Sequence, residues 1–224
     1  MKLILNLTMA LLLVGMVTSC KKDNAAKAVV GAAKEAAKTT AAAKSYSVAN
    51  TSKVMWTGTK PTGAHSGTIN VTSGSAQVTD GKLTGGKFVI DMNTIACTDL
   101  QGDSKLSLEA HLKGTRDENE VDDFFNVAKF PTAEFELTKT TALSDGSDAT
   151  HLVYGNLTMK GVTKEVGFKA NVNIQDNGII VKTPEFTINR TDWGIKFMSK
   201  NFIEGLKDKF IDDEIKLSLD LKAS

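Results

Sequence analysis

The residues of this chain best suited to nucleophilic or metal chemistry are two cysteines, Cys20 and Cys97, and three histidines, His65, His111 and His151. Their spacing argues against both chemistries. The chain has no His-x-His or His-Glu-x-x-His pair, so no metal site is expected. It has no Gly-x-Ser-x-Gly elbow, no phosphate loop and no dinucleotide fingerprint. No recognisable motif sets a base beside Cys97, which reads as a small residue at a strand end rather than a nucleophile. His111 falls between Leu108 and Leu112 on a helical stretch, where packing or hydrogen bonding suits it better than catalysis. The pairs Asp122/Asp123 and Asp212/Asp213 read as solvated surface, since glycosidase chemistry needs carboxylates facing across a cleft. The expectation is a protein that is not an enzyme and carries no cofactor. The densest polar–aromatic string is Asn189-Arg190-Thr191-Asp192-Trp193-Gly194. A pairing of Arg190 with Asp192, braced beside Trp193, is expected there; a charged head-group contact by Arg190 is the alternative.

Twenty-seven Lys and Arg nearly cancel 26 Asp and Glu. That balance excludes a general nucleic-acid binder, which needs a basic excess. The charge is uneven, however: residues 21–44 carry six lysines against Asp23 and Glu35, and every aromatic residue lies at or after Tyr46. The first twenty residues read as an address. Met1-Lys2 is followed by an apolar run from Leu3 to Val17, too short for a transmembrane helix, ending in Val17-Thr18-Ser19-Cys20. This resembles a bacterial lipobox, which implies a signal peptide at 1–19, a lipid on Cys20 and attachment to a membrane. Cys97 would then be unable to form an intramolecular disulfide. Residues 20–44, rich in Ala and Lys, read as a partly helical, partly disordered tether. The folded domain is assigned to 45–224.

Within that domain, alternation with a period of two recurs between turn signals. Val54, Trp56 and Gly58 share a face, as do Phe88, Ile90 and Met92. So do Ala133, Phe135 and Leu137; Val166 to Ile174 in steps of two; and Ile215, Leu217, Leu219 and Leu221. Turns are expected at Asp80-Gly81, Gly85-Gly86, Asp145-Gly146, Lys160-Gly161 and Asn177-Gly178, the last as a type I′ hairpin. Helical spacing is expected around Leu106, Leu108 and Leu112, capped by Asp103 or Ser104, and in a second piece at Ser199 to Lys207. Strands with one apolar face each can pair as a sandwich or close as a barrel, and periodicity does not choose between them.

Seven strings in order resemble the YceI-like family of polyisoprenoid-binding, lipocalin-like proteins. They are VMWTGTKPTGAHSGTINVTSG (54–74), GGKFVIDMNTI (85–95), LEAHLKG (108–114), DDFFNVAKFPTAEFELT (122–138), GNLTMKGVTKEVGF (155–168), NRTDWGIKF (189–197) and LKDKFIDDEIKLSLDL (206–221). The Trp-Thr-Gly and Lys-Pro-Thr-Gly forms are similar to those of Bacteroidetes-type lipoproteins. The resemblance implies a mainly β fold: an extended, eight-stranded antiparallel lipocalin-like barrel with one or two short helices and a long isoprenoid or related amphiphile inside. It also implies an exported, envelope location, expected here at the outer membrane, and a possible homodimer. Residues 114–121, GTRDENEV, lengthen a connection that is shorter in the family.

A long apolar chain needs a narrow apolar tube with few polar groups. The candidate lining residues are Trp56, Phe88, Ile90, Met92, Phe135, Leu157, Met159, Phe168, Phe186 and Ile188, with Arg190 at a head group. The same side chains would equally fill an ordinary closed core. The functional expectation is a lipid-anchored binding protein for a polyisoprenoid, a quinone or a similar lipid. The alternatives are a filled barrel that docks another envelope component, and an enzyme acting through Cys97 or His111.

Overall fold

Each strand with one apolar face must hide it, and closing a sheet on itself hides all of them together while removing its open edges. The computed structural model, which describes residues 25–144 and 146–224, closes in this way. The expected signal peptide, Cys20 and Asp145 lie outside the described residues. The strands are β1 (Ala26–Lys27), β2 (Val29–Ala32), β3 (Lys44–Ser47), β4 (Lys53–Lys60), β5 (Gly63–Thr79), β6 (Lys82–Cys97), β7 (Thr132–Ala142), β8 (His151–Met159), β9 (Val162–Gln175), β10 (Gly178–Lys182), β11 (Phe186–Asn189) and β12 (Glu214–Ala223); one helix, α1 (Gly102–Lys113), separates β6 from β7. Antiparallel pairing runs β4-β5-β6-β7-β8-β9-β10-β12 and returns from β12 to β4, giving a closed eight-stranded barrel. The closing register sets Leu217 opposite Trp56 and Leu219 opposite Val54.

Two expected hairpins form on left-handed pairs, Asp80 (φ 50°) with Gly81 (φ 69°) and Lys160 (φ 48°) with Gly161 (φ 76°). Two other turn signals resolve differently. Gly85-Gly86 lies inside β6, where Gly85 leaves room for the Thr39 methyl and Gln77. The β9–β10 turn is carried by Asp176-Asn177, with Gln175 paired to Gly178. Neither Asn177 nor Gly178 is left-handed, so the type I′ expectation is not met. Gly178 is instead required inside the strand, because a Cβ there would meet the Ala223 carbonyl at 2.5 Å. Helix α1 starts at a bare Gln101 cap, with Asp103 in its first turn rather than at the cap. The stretch Ser199 to Lys207 forms turns ending in a single 3-10 turn at Lys207–Lys209, so Phe202 and Ile203 stay exposed instead of building a helical face.

The alanine-rich segment read as a partly helical tether is strand where it meets the barrel. Past Lys182 the chain leaves β9, and β11 continues along β12 alone. This leaves β9 residues 164–167 and β11 with free edges facing each other. β1 pairs in parallel with Phe186 and Thr187, and β2 pairs antiparallel with residues 164–167, so residues 26–32 fill the gap. Ala28 is buried and Val30 packs on the core, while Val29 between them faces solvent. Helix propensity of about 1 kcal/mol or less per residue is overridden by two unpaired edges and a half-buried surface.

Deleting residues 25–34 is expected to lower the denaturation midpoint and to remove hydrogen-exchange protection along 164–167 and 186–187. Unchanged protection there would show that the wall does not need this strand.

Candidate functional site

The inward side chains sort into two groups along the barrel. In one half they pack solid: Val153, Val166, Phe168, Ala170, Ile179, Phe186 and Trp193 are all buried together. In the other half they surround a cavity of about 320 Å³, inside the range of small-ligand sites. The same strands supply both. On β12, Ile215 and Leu217 face the cavity while Leu219 and Leu221 pack into the filled half; on β8, Leu157 and Met159 face the cavity while Val153 does not.

Aromatic rings build the division. Phe168 stacks on Phe186 at 4.7 Å between centroids, 7° from parallel, and Phe135 sits 5.7 Å from Phe168. Phe135 can lie flat because Gly155 is beneath it: a Cβ on Gly155 would come 2.2 Å from the ring. Trp56 covers Gly67 in the same manner, where a Cβ would approach the indole to 2.5 Å and the Ala96 carbonyl more closely still. Both glycines act by close approach rather than by backbone freedom.

Of the expected lining residues, Trp56, Ile90, Met92, Leu157, Met159, Ile188 and Arg190 border the cavity. Phe88, Phe135, Phe168 and Phe186 lie in the filled half or against it. Alternation marks all of them as inward, but which end of the barrel stays hollow depends on ring packing between strands. Residues outside the expected set also border the cavity, from α1 and the loops after it: Leu108, His111, Leu112, Phe124, Phe125, Ile195, Phe197 and Ile211. These close one end. His111 there receives Phe124 and Phe197 edge-on, each at 5.0 Å, and its Nε2 lies 2.9 Å from the Asp123 carboxylate. The lengthened segment folds locally, Arg116 gripping Glu120 through two contacts of 2.6 Å.

Arg190 is 3 % exposed and is a brace, but with a different partner from the one expected. Its guanidinium donates to the carbonyls of Asp212 (3.1 Å), Ile195 (3.0 Å) and Ile211 (3.0 Å), and to the carboxylate of Asp213 (3.2 Å) rather than Asp192. Asp213 in turn accepts from Ser199 and Asn201. The network ties the 195–211 loop, which closes the cavity, to the start of β12. Burial pushes the Arg190 pKa down, opposed by Asp213 and Asp212. Trp193, at the other end of the same 3-10 turn, is buried and donates to the Leu157 carbonyl at 3.2 Å.

Cys97 ends β6 fully buried, and its thiol donates to Asp99 at 3.1 Å. Burial and that hydrogen bond push the thiol pKa up, the opposite of what activates a nucleophile. Burial alone would raise the Asp99 pKa, but the Ser66 amide, the His65 ring and the Cys97 thiol together hold it well below the ordinary carboxylate range. The indole nitrogen of Trp56 is buried with no hydrogen-bond partner among the described residues.

A family model described as "YceI-like domain" matches residues 42–223. Among curated relatives, a UPF0312 protein of Pseudomonas paraeruginosa is 51% identical over 55 residues, covering 25% of this chain and 27% of its own length. One from Yersinia pestis is 35% identical over 86 residues, 38% and 39% of the two lengths. The matched stretch thus spans well under half of these relatives. Among solved structures, a polyisoprenoid binding domain from Saccharophagus degradans implicated in plant cell wall breakdown superposes with a TM-score of 0.54 at 15% identity, covering 80% of this chain and 97% of its own. BcnA of Burkholderia cenocepacia gives 0.55 at 20%, covering 78% and 97%. These two likenesses are of fold.

Two outcomes follow from the side-chain networks. Arg190→Ala leaves Asp213 buried beside an empty position and is expected to cost about 3–5 kcal/mol in urea denaturation. Asp99 has a folded pKa below its ordinary 3.8, so its contribution is present above that value and is lost as the pH falls through the folded pKa. The unfolding-midpoint difference between the native chain and Asp99→Asn should therefore be full at neutral pH and shrink in acid below 3.8. A difference independent of pH would contradict this.

Proposed function

The chain belongs to the YceI-like family, and on that premise we propose that the hollow half of its barrel binds the chain of a long amphiphile, a polyisoprenoid or an isoprenoid quinone, for carriage or storage. The observation that carries the reading is the cavity itself, walled almost wholly by side chains such as Ile90, Met92, Leu157, Met159 and Ile188. A hydrocarbon offers burial and dispersion and no hydrogen bonds, with about 0.8 kcal/mol gained per buried CH₂. Met92 and Met159 suit a flexible chain, having unbranched, adaptable side chains. The fold of a polyisoprenoid binding domain from another bacterium points in the same direction. A barrel filled along its whole length would favour docking instead, and this cavity speaks against it.

The attachment belongs to the proposal too. The lipobox-like Val17-Thr18-Ser19-Cys20 supports a lipid on Cys20, which in this reading holds the barrel at the cell envelope, on the outer membrane. A short span from Cys20 to the wall strand at Ala26 would keep the barrel near the bilayer that holds such lipids.

Native mass spectrometry of the full chain, followed by organic extraction, tests this. A retained lipid of isoprenoid or quinone mass is expected. Ala133→Leu, which grows a buried cavity-lining side chain into the space, should reduce it at least about tenfold without lowering the unfolding midpoint of the lipid-free protein, because filling a void does not remove packing. A protein that is empty, and stays empty when offered such lipids, would overturn the reading.

A further inference from the structure

Where β5 and β6 pair beside the cavity, three metal-ligating side chains of different chemistry converge. Gly67 lies opposite Cys97 in the ladder. The Thr98 amide donates to the Ser66 carbonyl at 2.8 Å, which carries the pairing one step further. Asp99, in the bend that follows Cys97 at the end of β6, thereby comes beside both His65 and the Cys97 thiol. His65 Nδ1 is 2.9 Å from Asp99 Oδ2, and Cys97 Sγ is 3.1 Å from Asp99 Oδ1. One donor atom from each residue lies within 4.8 Å of the other two.

We propose that His65, Cys97 and Asp99 form a three-ligand site for a thiophilic divalent cation of the Zn²⁺ type. The donor set is one thiolate sulfur, one imidazole nitrogen and one carboxylate oxygen, which favours Zn²⁺ over Mg²⁺ or Ca²⁺. Tetrahedral Zn²⁺ with ordinary bond lengths separates such ligands by roughly 3.3–3.5 Å, so the His65–Asp99 and Cys97–Asp99 spacings need to open by about half an ångström, while His65 and Cys97, within 4.8 Å of each other, settle to the same separation. His65 and Asp99 can supply that movement, since each side chain is 33% exposed. The cation replaces the proton that the thiol now shares with Asp99. Neutral His65 binds through Nδ1 with its proton on Nε2, so one proton leaves to solvent.

Supporting contacts surround the site. The Ser66 amide donates to Asp99 Oδ1 at 2.8 Å and orients the carboxylate, while Glu109 of α1 accepts from the Cys97 amide at 2.8 Å and fixes the strand end. Gly67 has no side chain to crowd the sulfur, and the Trp56 indole covers it. Of the three, His65 also borders the cavity, so the site adjoins the cavity wall. A fourth position is left for water. Sequence spacing conceals the site because its ligands come from β5, the end of β6 and the bend after it, with 32 positions between His65 and Cys97. The proposal stands independently of the lipid reading.

The test is a Co²⁺ titration of the chelator-treated full chain carrying Cys20→Ala, which leaves Cys97 as its single thiol. The expected signature is a thiolate-to-cobalt charge-transfer band with tetrahedral ligand-field bands, displaced by Zn²⁺. Cys97→Ser should abolish the charge-transfer band, and His65→Gln and Asp99→Asn should each weaken binding at least about tenfold. Glu120→Gln, in the separate His111/Glu120/Asp123 group, should leave it unchanged. Circular dichroism confirms that each variant is folded. If Asp99→Asn does not fold, His65→Gln decides alone, since its amide can keep a hydrogen bond to Asp99. A titration without the charge-transfer band, or one unaltered by His65→Gln, would overturn the site.

Discussion

The structure depends on one strand, β12, closing the barrel. Its ten residues pair with β4 on one side and with β10 and then β11 on the other. Before closure, the alternating faces of the strands are only half-hidden surfaces; after it, every inward side chain shares one interior. The Arg190–Asp213 network stands where β12 begins, and the gap-filling segment of residues 26–32 stands where β10 gives way to β11. Both reinforce the places where closure is weakest: a buried charge is met by carbonyls and a carboxylate, and two bare edges are met by a strand.

Within the closed wall, the interior is divided by ring packing over glycine. Phe135 lies over Gly155, and Phe168 stacks on Phe186, which fills one half. The other half has smaller or more flexible side chains, Ala133, Met92 and Met159 among them, and is capped by α1 and the 195–211 loop instead of by rings from the wall. A hollow half costs packing energy, since void-lining atoms lose dispersion partners. That cost is understandable where a ligand supplies the missing contacts. The filled half can meanwhile hold the fold without it.

Much of this was legible in the sequence. The stripe Val54, Trp56 and Gly58 and the stripe Ile215, Leu217, Leu219 and Leu221 point inward as alternation requires. Two left-handed hairpins lie on their Asp-Gly and Lys-Gly pairs. What alternation could not carry is position along the barrel axis, so Phe88 and Ile90, two residues apart, fall on opposite sides of the division. Partners far apart in sequence were hidden for the same reason: Arg190 finds Asp213 rather than Asp192, and His65 finds Asp99. The segment Ala26–Ala32 misled because its composition favours a helix in isolation, whereas its conformation is set by edges that exist only once the barrel has formed.

One half of the barrel interior is an apolar space and the other is solid. Methyl NMR of the folded chain under xenon pressure distinguishes the two, since xenon enters dry apolar cavities without needing a specific ligand. Shifts are expected only at methyls around the cavity, those of Ile90, Met92, Ala133, Met159 and Ile188, with Val153, Val166 and Ala170 unmoved. Shifts spread evenly through both groups, or absent from both, would contradict it.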